Sequence, residues 1–484
     1  MSVETLLAEN KALREQNAIL VEKLEALSLE LARLKKQLIG PKSERQRPAA
    51  HIQPGLFAIP EPAPAADPPR PAAPPPTNPA PHGRRAPDRD PDEIVVVPSP
   101  TTCSACGGAL RNVSTSSATR LDWRRGHFYT IRVDRPSCAC DRCRKVETAP
   151  EPTTFALSRS IVGNGLAAQI VVDKFADNIP LNRQSTRFER EGLSLSVSSL
   201  CDTVRGVATL LERIVSAMKV EQLAGTVLQA DDTGLPVLDG EAGKTVPGRL
   251  WVYVDDRNVV YDFTATKHGK GPAAYLKGFK GILLADGGSE FNEAVRAAGL
   301  TRAGCWSHAR RYFHDALDSS PALAAEGVER AGRLFAIEAR IKGADAETRA
   351  RVRARETRGV LEELHTWCTS KVHSVRPSAP IGRAFQYVLG QWNHLVVCAD
   401  HPGLPIHNNM SELQLRRPVV GRKNWLFAGS EGGARTAAIL YSLTGSCRLH
   451  GIDPWAYLHD VLGRINDHPV NRIRELSPAN WKPL

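Results

Sequence analysis

The chain has 484 residues, of which 63 are Lys or Arg and 52 are Asp or Glu, so its formal net charge is +11. This length exceeds what a single hydrophobic core usually organises, so several folded units joined by linkers are expected. No apolar run reaches the roughly 20 residues of a membrane-spanning helix, and the charged, heptad-patterned N-terminus is unlike a secretory leader. We therefore expect a cytoplasmic protein, and its basic excess favours a polyanionic partner.

Residues 1–40 carry a heptad repeat. Leucines occupy the d positions at seven-residue intervals: Leu6, Leu13, Leu20, Leu27 and Leu34. No Pro or Gly interrupts this stripe before Gly40, and Asn10 and Asn17 at a positions favour a parallel dimer. The repeat predicts a leucine-zipper coiled coil through which the protein self-associates. A single amphipathic helix that packs on its own chain is the alternative.

Residues 41–93 form a linker in which Pro and Ala dominate, as in the run 71–76. Such a composition cannot bury a hydrophobic core. Pro-rich chains adopt extended conformations, so this segment is predicted to be a semi-extended tether between the coiled coil and the folded domains.

Two Cys-x2-Cys pairs fall within residues 94–150: Cys103 with Cys106, and Cys140 with Cys143. Each pair supplies two thiolates at the spacing that tetrahedral zinc requires, so the segment is predicted to be a zinc-binding module with a structural Zn²⁺. Cys138 is a spare thiol or an alternative ligand. Arginines between the two pairs leave open whether the module contacts DNA or is purely structural.

Residues 151–222 are predicted to be helical. An apolar stripe from Leu166 to Phe175 is followed by a break at residues 178–180, a short helix, a turn at Gly192 and a longer Ser-capped helix. Short helices around a glycine turn resemble a helix-turn-helix. Its candidate DNA contacts are Arg183, Arg187, Arg190 and Ser198. The alternative is a helical spacer that braces the next domain.

After Gly225 the sequence changes to short β-rich runs at residues 226–230, 250–254, 259–264 and 281–285. The first run leads into Asp231 and Asp232 and the last into Asp286, so two carboxylates are predicted at strand ends. A third, Glu412, lies in a helix that is predicted to begin at an Asn and to end before Pro418. Each carboxylate alone is ordinary, but three together can hold Mg²⁺ or Mn²⁺ for phosphoryl transfer.

Basic and aromatic side chains alternate downstream of Glu412. The basic ones can bind DNA phosphates, and the aromatic ones can stack on exposed bases. The members of this group are Arg416, Arg417, Arg422, Lys423, Trp425 and Phe427. A solvated basic helix face is the alternative. Upstream, Cys305 and His308 provide too few ligands for a metal. We expect core packing there, with His308 and Arg310 close to the scissile phosphate.

Several segments together resemble the transposases of the IS66 insertion-sequence family. They are residues 229–233 (QADDT), 285–287 (ADG), 304–311 (GCWSHARR), 408–418 (NNMSELQLRRP) and 421–430 (GRKNWLFAGS). The zipper, the cysteine pairs and the tail segment 451–458 follow in the family's order. The resemblance covers nearly the whole chain except the Pro/Ala-rich linker.

The resemblance implies a DDE transposase with an α/β ribonuclease-H-like core, in which Asp231, Asp286 and Glu412 are catalytic and bind Mg²⁺ or Mn²⁺. The family often has Asp-Glu-Thr where this chain has Asp231-Asp232-Thr233, so Asp232 could take the place of Asp231. Strand alternation points only one of the two into a site. The 125 residues between Asp286 and Glu412 are rich in helix formers. We therefore predict a catalytic domain at 223–435 with a helical insertion at about 309–400, followed by a C-terminal helical element at 436–484.

The implied activity is metal-dependent cleavage of the element ends followed by strand transfer. Its DNA partners would be the terminal inverted repeats and the target, on the bacterial nucleoid, and the family also suggests accessory proteins from the same element. Two alternatives remain at this stage. One is an inactive relic that acts as a DNA-binding regulator, and the other is a ribonuclease-H-type nuclease that acts on RNA.

Overall fold

A computed structural model gives the structure of residues 90–124, 126–158, 160–238 and 243–484. The predicted zipper at 1–40 and the linker as far as residue 89 lie outside these described residues. Within the described ranges, no helix is both long and apolar enough to cross a membrane.

The first unit is a small sheet that contains both cysteine pairs. Its strands are β1 (Glu93–Val96), β2 (Leu110–Arg124), β3 (His127–Cys140) and β4 (Val146–Thr148). Strands β2 and β3 form a long antiparallel hairpin, while β1 and β4 pair with the other edge of β3. Leu110 pairs with Cys140 at the open end of the hairpin. The turn that precedes β2 and the turn that follows β3 therefore lie side by side.

Three helices follow: α1 (Asn164–Phe175), α2 (Leu181–Arg190) and α3 (Val197–Leu223). The predicted apolar stripe of α1 is buried from Leu166 to Phe175. Asn178 and Gly192, at the two predicted breaks, both adopt positive φ angles of 62° and 85°. The Ser196 hydroxyl accepts a 3.1 Å hydrogen bond from the Ser199 N–H, which caps α3 as the sequence indicated.

The central sheet has five strands in the order β7-β6-β5-β8-β9. They are β5 (Val227–Leu238), β6 (Thr245–Val254), β7 (Val259–Thr264), β8 (Ile282–Leu284) and β9 (Thr301–Ala303). β5 to β7 form an antiparallel meander, whereas β8 and β9 run parallel to β5. Consecutive residues of β6 from Leu250 to Val254 are all buried. A strand buried on both faces requires cover on each side of the sheet, and the helices provide that cover.

Two short helices, α4 (Lys270–Tyr275) and α5 (Asn292–Ala298), connect the strands, and a helical segment follows β9. It contains α6 (Trp306–Asp315), α7 (Pro321–Arg340), α8 (Ala346–Val352), α9 (Arg358–Lys371), α10 (Pro380–Gly390) and α11 (Trp392–Leu395). A π-helical turn at Arg353–Thr357 joins α8 to α9. These helices enclose their own apolar core around Phe313, Trp367 and Phe385.

Three helices complete the chain: α12 (Asn409–Trp425), α13 (Glu431–Leu449) and α14 (Pro454–Arg464). Helix α12 packs against β5 and β6 and carries Glu412. The prediction that this helix ends before Pro418 is wrong, because α12 continues through Pro418 to Trp425. Proline removes the N–H that would bond to the Gln414 carbonyl. The Tyr261 hydroxyl donates to that carbonyl instead, at 2.8 Å.

Helix α13 covers the outer edge of strand β7. The Ser446 hydroxyl accepts from the Val259 N–H at 2.9 Å, and the Ser442 hydroxyl accepts from the Tyr261 N–H at 2.8 Å. Both serines are fully buried. Side chains of α13 thus satisfy backbone donors that a sheet edge otherwise exposes, and they fix β7 and its Tyr261 in place.

Candidate functional site

Asp231 and Asp286 lie side by side because of the register of two parallel strands. Strand β5 pairs with β8 up to the pair Gln229 and Leu284. Each aspartate stands two residues beyond this last pair, so the two lie at the same level of neighbouring segments, and the charge of Asp286 acts on Asp231. Asp286 follows its strand, as predicted. Asp231 does not stand at a strand end, because β5 continues to Leu238 through its pairing with β6.

Asp231 is an unusual carboxyl group. Burial, followed by the charges of Asp286 and Glu412, raises its pKa to about 7, although the Asp232 N–H donates to its Oδ1 at 2.8 Å and opposes this shift. The charges of both other predicted carboxylates therefore act on Asp231. A bound cation would offset this repulsion, which is what a divalent metal site requires.

The side chain of Asp232 lies on the face of β5 opposite to that of Asp231. Its Oδ2 accepts from Nη1 of Arg249 on β6 at 2.8 Å. Successive residues of a strand face opposite sides of the sheet. Asp232 therefore pairs with Arg249 on one face, while Asp231 lies near the other two carboxylates on the opposite face.

Arg302, which the sequence analysis did not single out, holds the loop that carries Asp286. It is buried on β9, the strand next to β8. Its guanidinium donates to the Gly288 carbonyl at 2.8 Å, to Oδ1 of Asn292 at 2.6 Å and to the Asp286 carbonyl. Within the loop, the Gly288 N–H donates to Oδ1 of Asp286 at 3.0 Å. No local sequence pattern indicated this role, because it depends on the pairing of β8 with β9.

Glu412 reaches the site from α12 and lies against His308 on α6. Oε1 of Glu412 and Nδ1 of His308 are 3.5 Å apart. Burial lowers the pKa of His308, and the charge of Glu412 only partly offsets this effect. The sequence placed His308 close to the reacting phosphate, and the structure places it beside the third carboxylate.

In the described part of the chain, two groups of three or more metal-binding side chains have ligand atoms that all lie within 4.8 Å of one another. One group is Cys305, His308 and Glu412, and the other is the cysteine cluster. The three predicted carboxylates are not such a group. The sequence offered two ligands at Cys305 and His308, and the tertiary structure adds Glu412 as a third.

The cysteine cluster joins the two predicted pairs, Cys103 with Cys106 and Cys140 with Cys143. The Sγ atoms of Cys103 and Cys143 are 3.5 Å apart, and those of Cys106 and Cys140 are 3.6 Å apart. Zinc bonds to sulfur of about 2.3 Å in a tetrahedron separate the sulfurs by about 3.8 Å, so the four thiols fit a structural Zn²⁺. Without a metal the four thiols share protons: backbone N–H groups lower the pKa of Cys103 and Cys140, while the neighbouring thiols raise that of Cys106 and Cys143. The alternative ligand, Cys138, is not in this cluster.

The predicted DNA-contacting residues differ in exposure. Arg310, Arg416 and Lys423 are exposed. Arg417 donates to the Ala176 carbonyl at 3.2 Å, and Trp425 is partly buried with the Lys174 ammonium 5.3 Å from its ring.

Arg422 extends from α12 towards β5. Its Nη1 lies 3.5 Å from Oγ1 of Thr233, two residues along the strand from Asp231. A Cβ at the neighbouring Gly234 would lie 3.6 Å from the same Nη1, so this cation lies beside the backbone of β5, two to three residues from Asp231.

The candidate contacts of the helix-turn-helix-like region also divide. Arg183, Arg190 and Ser198 are exposed, whereas Arg187 is bound to the buried carboxylate of Asp173. Arg187 therefore helps to join α2 to α1.

Comparisons with known families account for this combination of a cysteine cluster and an α/β unit. The zinc-finger binding domain of transposase IS66 matches residues 100–144, the family described as Transposase IS66 matches residues 159–436, and the IS66 C-terminal element matches residues 442–479. The matched domains define the class of protein as an insertion-sequence transposase. The chain belongs to the IS66 transposase family, as its motifs predicted.

Relatives of similar length are found in Sinorhizobium fredii (strain NBRC 101917 / NGR234). The uncharacterized protein y4hP is 33% identical over 493 residues, which cover 94% of this chain and 89% of that protein. The uncharacterized protein y4jD is 30% identical over 410 residues, covering 81% of this chain and 80% of that protein.

Proposed function

We propose that this transposase is a DDE enzyme that cleaves the ends of its insertion sequence and joins them to target DNA, with Asp231, Asp286 and Glu412 as the metal-binding carboxylates. The observation that carries the proposal is the strand register that sets Asp231 beside Asp286, with Glu412 close enough for its charge to act on Asp231. The mixed five-stranded sheet between helices supports the ribonuclease-H-like core that the family implies.

The three side chains suit Mg²⁺ or Mn²⁺, because hard oxygen ligands select these ions. When bound, such ions activate the attacking oxygen and stabilise the leaving one. Arg302 keeps the Asp286 loop in a fixed shape. Arg422, beside β5 and close to Thr233, would neutralise a phosphate of bound DNA.

The chemistry requires two displacements at phosphorus. In the first, a water oxygen attacks the phosphodiester at the element end, the bond from phosphorus to the 3′ oxygen breaks, and that oxygen takes up a proton. In the second, the freed 3′-hydroxyl attacks a phosphodiester of the target, loses its proton and displaces the target's own 3′ oxygen. Both steps need positioning and charge neutralisation from the protein rather than a covalent intermediate.

DNA binding is proposed to use the exposed cations near the site, Arg310, Arg416 and Lys423, together with the zinc-binding domain and the helices from α1 to α3. Each phosphate contact releases counterions, so affinity should fall steeply as salt rises. A flat salt dependence would contradict this surface. Self-association through residues 1–40 and contacts with accessory proteins of the element belong to the same proposal.

The decisive experiment is cleavage of a labelled duplex that carries the element's terminal repeat, in Mg²⁺. Asp231→Asn, Asp286→Asn and Glu412→Gln should each abolish cutting while binding persists in a gel-shift assay. Asp232→Asn is the matched control, because it changes the adjacent carboxylate on the opposite face of β5, and it should still cut.

Three other outcomes would contradict the proposed activity, the proposed metal ligand or the proposed substrate. A wild type that binds the repeat but never cuts it would favour a DNA-binding regulator. Cutting by Asp231→Asn but not by Asp232→Asn would shift the metal ligand by one position. Cutting of RNA strands without preference for the repeat would favour a ribonuclease-H-type nuclease.

A further inference from the structure

A cluster of three different metal-binding side chains lies at the edge of the proposed carboxylate site. Cys305 precedes α6, His308 lies in its first turn, and Glu412 comes from α12. We propose that these residues form a second binding site for a thiophilic divalent ion of the Zn²⁺ class, separate from the cysteine cluster and from the Asp231 and Asp286 pair.

The geometry fits one ion. The Sγ of Cys305, a ring nitrogen of His308 and a carboxylate oxygen of Glu412 all lie within 4.8 Å of one another. Tetrahedral zinc with bonds of about 2.0 to 2.3 Å separates its ligands by roughly 3.3 to 3.8 Å. Nδ1 of His308 and Oε1 of Glu412, at 3.5 Å, already have this separation. The thiol, which lies within 4.8 Å of the other two ligand atoms, completes the three-ligand set by an inward movement of at most about 1.5 Å.

The imidazole of His308 has a buried nitrogen that is not satisfied within the described part of the chain. Nδ1 of His308 is buried, and no residue in the described part of the chain forms a hydrogen bond with it. Oε1 of Glu412 lies 3.5 Å from it, and the two atoms form an ion pair only if the imidazole is protonated. A cation bound between Nδ1 and Oε1 would pair with both atoms, and it would satisfy the buried nitrogen that no hydrogen bond reaches.

The donor set selects the ion. A thiolate, an imidazole and a carboxylate together match zinc, whereas Mg²⁺ prefers oxygen ligands alone. Three protein ligands leave a fourth position for water. Cys305 is fully buried, but about a third of the Glu412 side chain is exposed, so the ion can enter from that side.

A consequence follows for catalysis, and it rests on the proposed function. Glu412 belongs to both sites, and in this structure it stands with Cys305 and His308, while the three catalytic carboxylates do not form an equally close group. Zinc bound there would hold Glu412 on the His308 side. It would therefore compete with the assembly of the Mg²⁺ site and inhibit cleavage.

The primary test counts zinc in the purified full-length chain after dialysis against low-micromolar Zn²⁺, by elemental analysis. About two ions per chain are expected for the wild type, one in the cysteine cluster and one here, and about one for Cys305→Ser and for His308→Gln. Cys447→Ser is the matched control, because Cys447 is an equally buried thiol outside both groups, and it should keep about two. One ion in the wild type, or two in Cys305→Ser, would overturn the proposal.

Cobalt absorption spectroscopy, with a check of each variant's fold, distinguishes loss of the site from misfolding. Co²⁺ added to wild type that carries one equivalent of Zn²⁺, which the four-thiolate cluster binds first, should give an absorption band from thiolate-to-cobalt charge transfer that is lost in Cys305→Ser and kept in Cys447→Ser. The fold of each variant is checked by its circular dichroism spectrum. Absence of the band from the wild type, or its persistence in Cys305→Ser, would refute the site.

The inhibitory role is tested separately in the Mg²⁺ cleavage assay. Added Zn²⁺ should slow the wild type by about tenfold or more and should slow Cys305→Ser much less, corresponding to a difference of about 1.4 kcal/mol. Equal inhibition of both would refute the regulatory role. If the wild type shows no cleavage in Mg²⁺ alone, the proposed function fails, while the zinc count and the cobalt spectrum still decide the binding site.

Discussion

The hydroxyl of Tyr261 donates a 2.8 Å hydrogen bond to the carbonyl of Gln414, and this bond replaces one that Pro418 cannot supply. In a regular helix, the carbonyl of residue 414 would accept from the N–H of residue 418. Both Tyr261 and Gln414 are buried, so an unpaired carbonyl here would be costly. The bond ties α12, which carries Glu412, directly to strand β7 of the central sheet.

Replacing Tyr261 by Phe should therefore destabilise the protein and weaken its catalysis. Loss of the donor leaves a buried carbonyl unsatisfied, at a cost of about 1–3 kcal/mol. The position of Glu412 should become less defined, so metal-dependent cleavage should fall as well. Urea unfolding and the cleavage assay measure the two effects, with Tyr312→Phe as the control because Tyr312 is partly exposed.

The double variant tests the stated cause. Pro418→Ala restores a backbone N–H at residue 418, so it should recover part of the stability lost in Tyr261→Phe. If the two single changes in the free energy of unfolding simply add in the double variant, the Tyr261 hydroxyl does not replace the hydrogen bond that Pro418 lacks.

The raised pKa of Asp231 predicts that stability without metal depends on pH. The folded pKa of about 7 lies above the ordinary value near 3.9. Between these two pH values the folded protein retains a proton that the unfolded chain has released. The free energy of unfolding should therefore fall as pH rises from about 4 to about 7, by up to about 4 kcal/mol, and then level off.

Thermal unfolding in Mg²⁺-free buffer at pH 5 and pH 8, with zinc kept in the cysteine cluster, measures this dependence. Asp231→Asn should remove most of it, while the exposed Asp318→Asn should behave as the wild type does. Mg²⁺ should restore stability at pH 8 in the wild type and in Asp318→Asn, but not in Asp231→Asn. A wild type that gains stability from pH 5 to pH 8 by the same amount as Asp231→Asn would mean that Asp231 titrates normally.

Removal of zinc should unfold the N-terminal sheet and spare the central one. The turns that hold the four cysteines close the open end of the β2 and β3 hairpin, so their release removes the cross-link of that unit. Hydrogen exchange should show loss of amide protection across residues 110–140 and unchanged protection in β5 to β7. Cys106→Ser should imitate the effect, and the exposed Cys201→Ser should not. Full protection of the hairpin after chelation would exclude a structural role for zinc.

Arg353 should be one of the most sensitive positions of the helical insertion. It is fully buried and binds both carboxylate oxygens of Glu338 at 2.8 and 2.6 Å, as well as the carbonyls of Cys398 and His401 at 2.9 and 2.6 Å. Arg353→Met leaves a carboxylate and two carbonyls without this donor, so a loss of about 3–5 kcal/mol is expected in chemical denaturation. The exposed pair of Arg333 and Glu363 is the control, and Arg333→Met should cost less than about 1 kcal/mol. Equal losses in both variants would refute the role of burial.

The heptad of residues 1–40, which lies outside the described residues, predicts a dimer that depends on its leucines. Replacing Leu20 and Leu27 by Ala removes two core layers of the coiled coil and should lower the mass observed in sedimentation. An unchanged mass would place the interface elsewhere, since a helix packed on its own chain has no such requirement.

The elements whose signal is local were accessible from the sequence. The spacing of the four cysteines identified the zinc ligands, because each pair acts through a single turn. The apolar stripe of α1 and the Ser196 cap of α3 followed from periodicity and capping chemistry, which involve only near neighbours along the chain. The strands around Asp231 and Asp286 were recognised by their β-branched, apolar runs, although the extent of β5 was underestimated.

The relationships between distant segments were decided only by the tertiary structure. Pairing of β5 with β8 brings Asp231 next to Asp286, and pairing with β6 extends β5 beyond Asp231. Pro418 led us to predict that α12 ends before it, but Tyr261 supplies the missing hydrogen bond and the helix continues. The sequence could not indicate this, because the donor lies 153 residues from Gln414. The same long-range packing brings Glu412 next to Cys305 and His308, so that three candidate metal ligands lie together where the local sequence shows two. Sequence periodicity describes a residue's neighbours along the chain, whereas a site is composed of neighbours in space.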